Sequence, residues 1–321
     1  RAGQRLIDSL SATMPITVTP SDQFLCSREE FAEWASVNTR KDGSLLMEDF
    51  YRWQRRRLDI LIDPDGEPVG GRWNYDDENR LSPPKGEHEW PAINRRELDD
   101  VDAWVTDFLA SVDGLVMKGE PPDGLWATDH DGAMQQLQHF LRHAIDEFGP
   151  YEDAILRDEP YLNHSLLSPY LNIGLLHPAE VIAAVKELSD DIALNSVEGF
   201  IRQIIGWREY VHGLYWWFGP DYVNENHFND DAPVPPSFTG AYTEMNCVAH
   251  VAKWVEQDAW THHIPRLMVL ANLATLAGID PSKMMRWMWA SFIDGAEWVM
   301  APNVIGMGMY ADGGRMSTKP Y

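Results

Sequence analysis

Cysteine is almost missing from these 321 residues, with 2 copies, Cys26 and Cys247. They lie far apart and form no CxxC pair, so neither a disulfide framework nor a complete metal site is legible, and each alone reads as a buried thiol. Long apolar runs are missing too. No stretch approaches the ~20 residues of a membrane span and no charged-then-apolar leader precedes a cleavage site, which points to a cytoplasmic protein with no membrane role. Cationic side chains are scarce, 26 Lys and Arg against 50 Asp and Glu, for a formal charge of -24. That balance argues against nucleic-acid affinity over the whole surface, because phosphates need local Lys and Arg. The deficit is uneven: residues 1–197 hold 37 acidic and 18 basic side chains, residues 198–321 hold 13 and 8. The nearly neutral C-terminal part can still carry a basic cleft, while the acidic surplus reads as solvated surface. Internal repeats are absent. The chain opens on Arg1 rather than Met and closes on Lys319-Pro320-Tyr321, and is expected to be a fragment of a longer one.

What is present is helix-forming material. The 44% hydrophobic content over this length allows two domains and a sizeable helical core. Ile16 to Thr19 alternates like a short strand, and Ser27-Arg28-Glu29-Glu30 caps a helix through Ala35, the pattern of the end of an α/β domain. Met47 to Ile62 is expected to be a second helix, crossed by Arg55-Arg56-Arg57. Asp63 to Pro91, rich in Pro, Gly and Asp, reads as an extended linker, and a domain boundary is placed there. Helical period then marks Val101–Val112, Asp131–Phe148, Pro178–Leu188, Val197–Phe218, Met245–Gly278 and Pro281–Met300, interrupted by a long loop from Gly219 to Gly240.

Four stretches carry possible chemistry, each beside a plainer alternative. Asn163 to Gly174 sets hydroxyls and N–H groups where a loop becomes a helix, which suits a phosphate, although an ordinary Ser cap before Pro has the same look. In Arg202 to Tyr210 an adjacent Arg208-Glu209 pair does not self-pair on a helix, so each should find partners elsewhere, surface salt bridges being the simplest. His262 and His263, if helical, point about 100° apart and cannot share one metal as an i, i+4 pair would. One histidine in the core and one on the surface is an ordinary outcome, whereas one facing a cavity can act as a general acid. Trp254, Trp260, Trp287, Trp289 and Trp298 are either core residues or a series of indoles for electron hopping.

Five ordered motifs resemble the photolyase and cryptochrome superfamily, within it the iron-sulfur bacterial branch similar to prokaryotic (6-4) photolyases. They are Gly70 to Arg80, Leu162 to Ser168, Glu198 to Tyr210, Met245-Asn246-Cys247 and Pro302 to Met307. The resemblance implies a mostly α fold: residues 1–25 as the remnant of an α/β, Rossmann-like antenna domain, 26–96 as a linker, and 97–321 as a helical FAD-binding domain. It implies Ser165, Leu166 and Ser168 at the flavin diphosphate, Arg266 and Asp294 flanking the isoalloxazine ring, Asn303 as a polar neighbour, and Met300 near flavin N5, where Asn or an acid is common in relatives. His262 and His263 resemble the histidine pair that protonates a flipped (6-4) lesion, and Glu209 the glutamate that reaches the active-site cavity. Trp287 matches a flavin-proximal electron donor, while Met288 and Val304 depart from aromatic positions of relatives. Cys247 resembles the first of four thiolates of a [4Fe-4S] cluster, the others expected beyond Tyr321, and a lumazine-type antenna is implied by the branch.

The expected function is a monomeric, FAD-dependent photolyase that repairs UV-damaged DNA, with Arg202, Arg208, Lys253, Arg286, Arg315 and Lys319 as phosphate contacts. The alternatives are a cryptochrome-like blue-light receptor and a helical binding module without flavin.

Overall fold

Ser27 opens the first packed helix as its sequence suggests: its side chain accepts from the Glu30 N–H while the Glu30 carboxylate accepts from the Ser27 N–H, at 3.1 and 2.8 Å. The computed structural model of the chain describes residues 2–115, 119–188 and 191–316. A short α1 (Ala2–Ser11) precedes α2 (Arg28–Asn38) and α3 (Met47–Leu58). The alternation at 16–19 builds no strand, because no neighbouring strand is there to pair with it, and among the described residues the chain has isolated bridges rather than a sheet. The second helix is shorter than its apolar period predicts. It stops where Asp59 turns left-handed at φ 53, and the wholly buried Arg55 gathers the carbonyls of Ile60, Leu61 and Trp73 beyond it.

The linker carries no long helix, and α4 (Asp100–Ser111) follows it. Then come α5 (His130–His143), α6 (Ile145–Tyr151), α7 (Ser168–Ile173), α8 (Pro178–Leu188) and α9 (Leu194–Ile201). A π-helical turn, Arg202–Arg208, joins α9 to α10 (Glu209–Trp217). The long loop holds two short 3-10 turns, Pro220–Asn224 and Pro236–Thr239. After it stand α11 (Asn246–Asp258), a π turn Pro265–Ala271 leading into α12 (Asn272–Leu276), and α13 (Pro281–Ser291). The last helix, α14 (Glu297–Met300), runs into a third π turn, Ala301–Gly308. Long periodic stretches break where the backbone demands it: 131–148 at Ala144, 245–278 at the left-handed Ala259 (φ 51), and 281–300 between Phe292 and Ala296. Among the described residues no helix is long and apolar enough to cross a membrane.

Two large apolar clusters and a small third one, Leu125, Leu166 and Trp260, fill the body among the described residues. The larger unites Phe31, Trp34, Phe50 and Tyr51 of α2 and α3 with Phe140, Ile201, Ile205, Tyr210 and Leu214. The second collects Trp254, Leu270, Met284, Met288, Met300, Val304 and Ile305 from the C-terminal third. Two glycines set the closest crossings. A Cβ at Gly213 would stand 2.0 Å from the Phe31 ring, and one at Gly149 would meet the Ser196 backbone at 2.9 Å, so α2 packs directly on α10 and α6 on α9.

Candidate functional site

The left-handed Ala259 ends α11 and releases a non-helical stretch, Trp260-Thr261-His262, before the chain turns helical again at His263. The two histidines therefore do not sit on one regular helix. Their rings lie 5.9 Å apart, and His164, delivered by the turn after the left-handed Leu162 (φ 45), stacks on His262 at 4.4 Å and 20°. One ring nitrogen from each of His164, His262 and His263 falls within 4.8 Å of the others. This corrects the expectation that the adjacent pair cannot converge on one point: the irregular backbone and a third imidazole change the geometry.

The three imidazoles differ in surroundings. Burial, aided by neighbouring positive charge, pushes His164 and His262 well below the ordinary histidine range, so both are neutral at physiological pH. His263 is 43% exposed in its side chain and meets Asp153 through Nε2, 3.1 Å from Oδ1. Burial works against ionisation of Asp153, but its bond to His263 and the nearby Arg80 and Arg202 outweigh it and hold the carboxyl below the usual range. Next to it Glu152 is buried, accepts from Gln203 Nε2, and is raised to about 7 by desolvation, with His263 and Arg202 pulling the other way. Among the described residues His164 Nε2, His262 Nδ1, Thr261 Oγ1, Asn163 Oδ1 and Glu152 Oε2 are buried without a hydrogen-bond partner. Such atoms are few in a folded chain; four more, on Gln54, Arg202, Arg208 and Tyr210, are found elsewhere, and it is their gathering around the three imidazoles that makes this a candidate binding place.

One helical turn past the histidines, Arg266 donates from Nε to the Thr261 carbonyl at 2.7 Å and from its two terminal nitrogens to both oxygens of Asp294, at 2.9 and 3.0 Å. Asp294 also accepts from Ser168 Oγ at 2.8 Å, and Asn172 Nδ2 donates to the Asp294 carbonyl at 2.9 Å, so the start of α7 is tied to this pair. Two of the five guanidinium N–H groups of Arg266 carry no bond among the described residues. Beneath the guanidinium lies Phe292, 4.2 Å from its centroid, and Trp287 packs edge-on to Phe292 at 6.0 Å. The predicted Ser168, Arg266 and Asp294 thus form one cluster, with Ser165 and Leu166 on the loop that enters α7. Leu166 is itself left-handed (φ 58) and packs on Trp260 and Leu125. Met300 is buried in the second apolar cluster, and Asn303 turns its amide back to the Val299 carbonyl at 2.8 Å.

Other sequence-based assignments need correction. Glu209 is buried and accepts from the Cys26 N–H at 2.8 Å and from its own neighbour Arg208 at 3.2 Å, so the adjacent pair does self-pair, within the junction of a π turn and α10. Its bonds hold the chain around Cys26; the acids beside the histidines are Asp153 and Glu152. Arg202 and Arg208 are not surface cations. Their side chains are 7% and 8% exposed, Arg202 pairing with Asp76 at 2.9 Å and Arg208 donating to the Leu171 carbonyl at 3.0 Å, which leaves neither free for phosphate. Arg315 is matched by Glu225 at 2.8 Å and lies over Phe218. Lys253 and Arg286 are exposed, and Lys319 lies outside the described residues. Lys253 lines an open cleft of about 600 Å³ of mixed charge, with Arg95 and Arg157 beside Glu120, Asp123, Asp158 and Asp258, and its Tyr161 stacks at 6.0 Å on the Trp260 that neighbours His164. Cys247 is an exposed free thiol in the first turn of α11, and Cys26 is a buried one. The missed site residues, His164, Asp153 and Glu152, had no periodic signal; the sharp turn at Leu162 and the acidic pair after Gly149-Pro150 are the nearest cues.

Residues 1–118 match the family model described as deoxyribodipyrimidine photo-lyase-related protein. The chain is 42% identical over 315 residues to a (6-4) photolyase of Agrobacterium fabrum, a match that spans 95% of this chain and 59% of that protein. It is 29% identical over 179 residues to a deoxyribodipyrimidine photo-lyase of the same organism, 53% of this chain and 36% of that protein. Among solved structures it is similar to a bacterial class III photolyase from Agrobacterium tumefaciens, with a TM-score of 0.47 and 25% identity over 61% of this chain and 40% of that one.

Proposed function

We propose that the chain belongs to the photolyase and cryptochrome superfamily and forms the flavin-binding and catalytic part of a DNA photolyase that reverses UV lesions, (6-4) photoproducts first among them; the 42% identity to a (6-4) photolyase and the match of residues 1–118 to the photo-lyase-related family support that reading. The observation that carries the proposal is the turn from Thr261 to Arg266. It brings two imidazoles to a shared point and, within six residues, a guanidinium paired with Asp294 and anchored on the carbonyl of Thr261.

A flavin suits this turn. The two unbonded N–H groups of Arg266, the buried and unpaired Thr261 Oγ1 and the Ser165 hydroxyl are donors and acceptors of the kind its ring edge and phosphates need. Ser165, Leu166, Ser168, Arg266, Asp294, Met300 and Asn303 would hold it. Bound there, reduced FAD supplies the light-driven electron. The rest is the work of this chain. Arg266 offers positive charge, Asp294 fixes the guanidinium through two parallel bonds, and Ser168 fixes Asp294. His263, open to solvent and bonded to Asp153, is positioned to give a proton to an extruded base, while His262 packs on His164 behind it. Extrusion is least costly for a damaged base, which stacks poorly. Trp287, with Phe292 between it and Arg266, is the proposed electron donor to the flavin. Lys253 in the 600 Å³ cleft, with Arg286 and Lys319, is the proposed DNA contact set, so affinity should fall as salt rises. The same proposal includes the division at residues 25 and 96, a lumazine-type antenna and a cytoplasmic monomer. Cys247 would give one thiolate to an iron-sulfur cluster that takes four; with Cys26 buried beside Ser27 and Glu209, the cysteines of this chain do not by themselves complete one.

One observation favours a blue-light receptor instead: two arginines expected at DNA are locked in internal pairs. The test is blue-light-dependent loss of (6-4) photoproducts from an irradiated oligonucleotide, using the full-length protein with reduced FAD. Repair that falls by a factor on the order of 10² or more in His263→Ala supports the photolyase. A yellow protein that photoreduces but leaves the lesion intact supports the receptor.

A further inference from the structure

We propose that His164, His262 and His263 form a binding site for a borderline divalent transition ion, with Zn²⁺ as its probe, holding the ion on three imidazoles with a fourth position open. The inference does not rest on the photolyase reading.

Three observations carry it. First, three imidazole nitrogens from two distant segments converge within 4.8 Å. A four-coordinate zinc with bonds of about 2.0–2.1 Å sets its nitrogens about 3.3 Å apart, so the rings need to close by about 1.5 Å at most. His263, on the exposed side, has room to make that movement. Second, His164 Nε2 and His262 Nδ1 are buried and bonded to nothing among the described residues. A buried ring nitrogen without a partner costs free energy that a metal bond removes, and His262 is only 3% exposed. Third, Asp153 lies on His263 Nε2 at 3.1 Å. A carboxylate bonded to one nitrogen of a ligating histidine fixes its tautomer and ring orientation and leaves the other nitrogen for the metal.

The charges around the triad agree. The cations around the triad are engaged: Arg266 is paired with Asp294, and Arg80 and Arg202 face Asp153, the carboxylate at the rim. Three nitrogens favour zinc and its neighbours over magnesium or calcium, which take oxygen ligands. An ion there would also occupy the imidazole lone pairs, so light-driven repair should be inhibited by zinc and restored by a chelator.

Full-length protein with its cofactors in place is washed with chelator and titrated with Zn²⁺ in the dark, without DNA, by calorimetry. One site is expected, weakened at least about tenfold in both His263→Gln and His164→Asn and not displaced by excess Mg²⁺. His263 is exposed, so its variant should keep the parent's flavin absorbance and melting temperature, and it tests the site even where His164→Asn fails to fold. Unchanged zinc affinity in His263→Gln, or displacement of zinc by Mg²⁺, overturns the proposal and assigns the ion to surface carboxylates. Since neither light nor lesion enters this measurement, its failure leaves the photolyase reading intact, and a failure of repair leaves the metal site intact.

Discussion

Glu198 and Glu209 on one side of the molecule, and Glu152 with His164 and His262 on the other, are buried to a similar depth but partnered in opposite ways. Glu198 accepts from Tyr51 OH at 2.8 Å and from the Tyr75 N–H at 3.0 Å, with Arg202 at 3.6 Å; Glu209 accepts from Arg208 and the Cys26 N–H. Every oxygen of these two carboxylates is used, and the bonds from Tyr51, Tyr75 and Cys26 come from more than a hundred positions away. They fasten the segment from Cys26 to Asp76 onto α9 and α10. Glu152, His164, His262 and Thr261 each keep an atom with no partner among the described residues. The two regions adjoin through Gln203, which donates to Glu152 from the same π turn that begins with Arg202. The brace is not free of unpartnered atoms, since Arg202 Nε, Arg208 Nε, Tyr210 OH and Gln54 Nε2 also lack a hydrogen bond, but its carboxylates are saturated, whereas around the histidines the unpartnered atoms include titratable groups gathered about one point, which is where a ligand belongs.

The comparison breaks most visibly if the saturated side is opened. Arg202→Ala leaves Glu198 buried and undercompensated and should cost about 3–5 kcal/mol in urea unfolding. A loss below about 1 kcal/mol would mean that the network is not a brace. On the unsaturated side the sign reverses. Glu152 is raised in the folded chain from 4.5 to about 7, so the folded state holds its proton more tightly than the unfolded state does. The group costs nothing below its unfolded value, and the cost grows as pH rises from 4.5 toward 7 and is then fully present. Glu152→Gln should therefore stabilise the protein by something on the order of 3 kcal/mol near pH 8 and hardly at all near pH 4. Unfolding curves at the two pH values decide it, an equal gain at both being the adverse result.

Local signals in the sequence were enough for the helices whose ends are set by neighbouring residues. The Ser27 and Glu30 capping box starts α2, and Pro178–Leu188 appears with its expected bounds. Resemblance placed Ser168, Arg266 and Asp294, and the structure joins them by hydrogen bonds. The break at Ala259 was not legible, because alanine carries no mark of a left-handed backbone, whereas the one between Phe292 and Ala296 is marked by the turn dipeptide Asp294-Gly295, which the helical period on either side masks. The partners of charged residues were not legible either. Arg202 is an ordinary helical cation until Asp76, 126 positions earlier, is seen beside it. His164 became a site residue only when Leu162 turned the loop toward His262, a contact of long sequence separation that no periodicity encodes.

Two smaller effects sharpen the contrast further. Asp294→Asn keeps the shape but removes the charge that Arg266 grips with two bonds, and should weaken flavin retention about tenfold, or about 1.4 kcal/mol, read as the FAD-to-protein ratio after dialysis. Full retention would take Asp294 out of the cofactor site. The smallest effect belongs to Arg80, which shares Asp76 with Arg202. Its side chain is 62% exposed and that of Arg202 is 7%, although both contact the same carboxylate. Water screens the outer pair and long side chains lose entropy in forming it, so Arg80→Ala should cost less than about 1 kcal/mol in the same urea assay. Arg202 also faces the buried Glu198, whereas the other partner of Arg80 is the half-exposed Asp153, so the two substitutions differ in burial and in what they leave behind; equal losses would show that Asp76, which both arginines share, is what holds the linker to the helices.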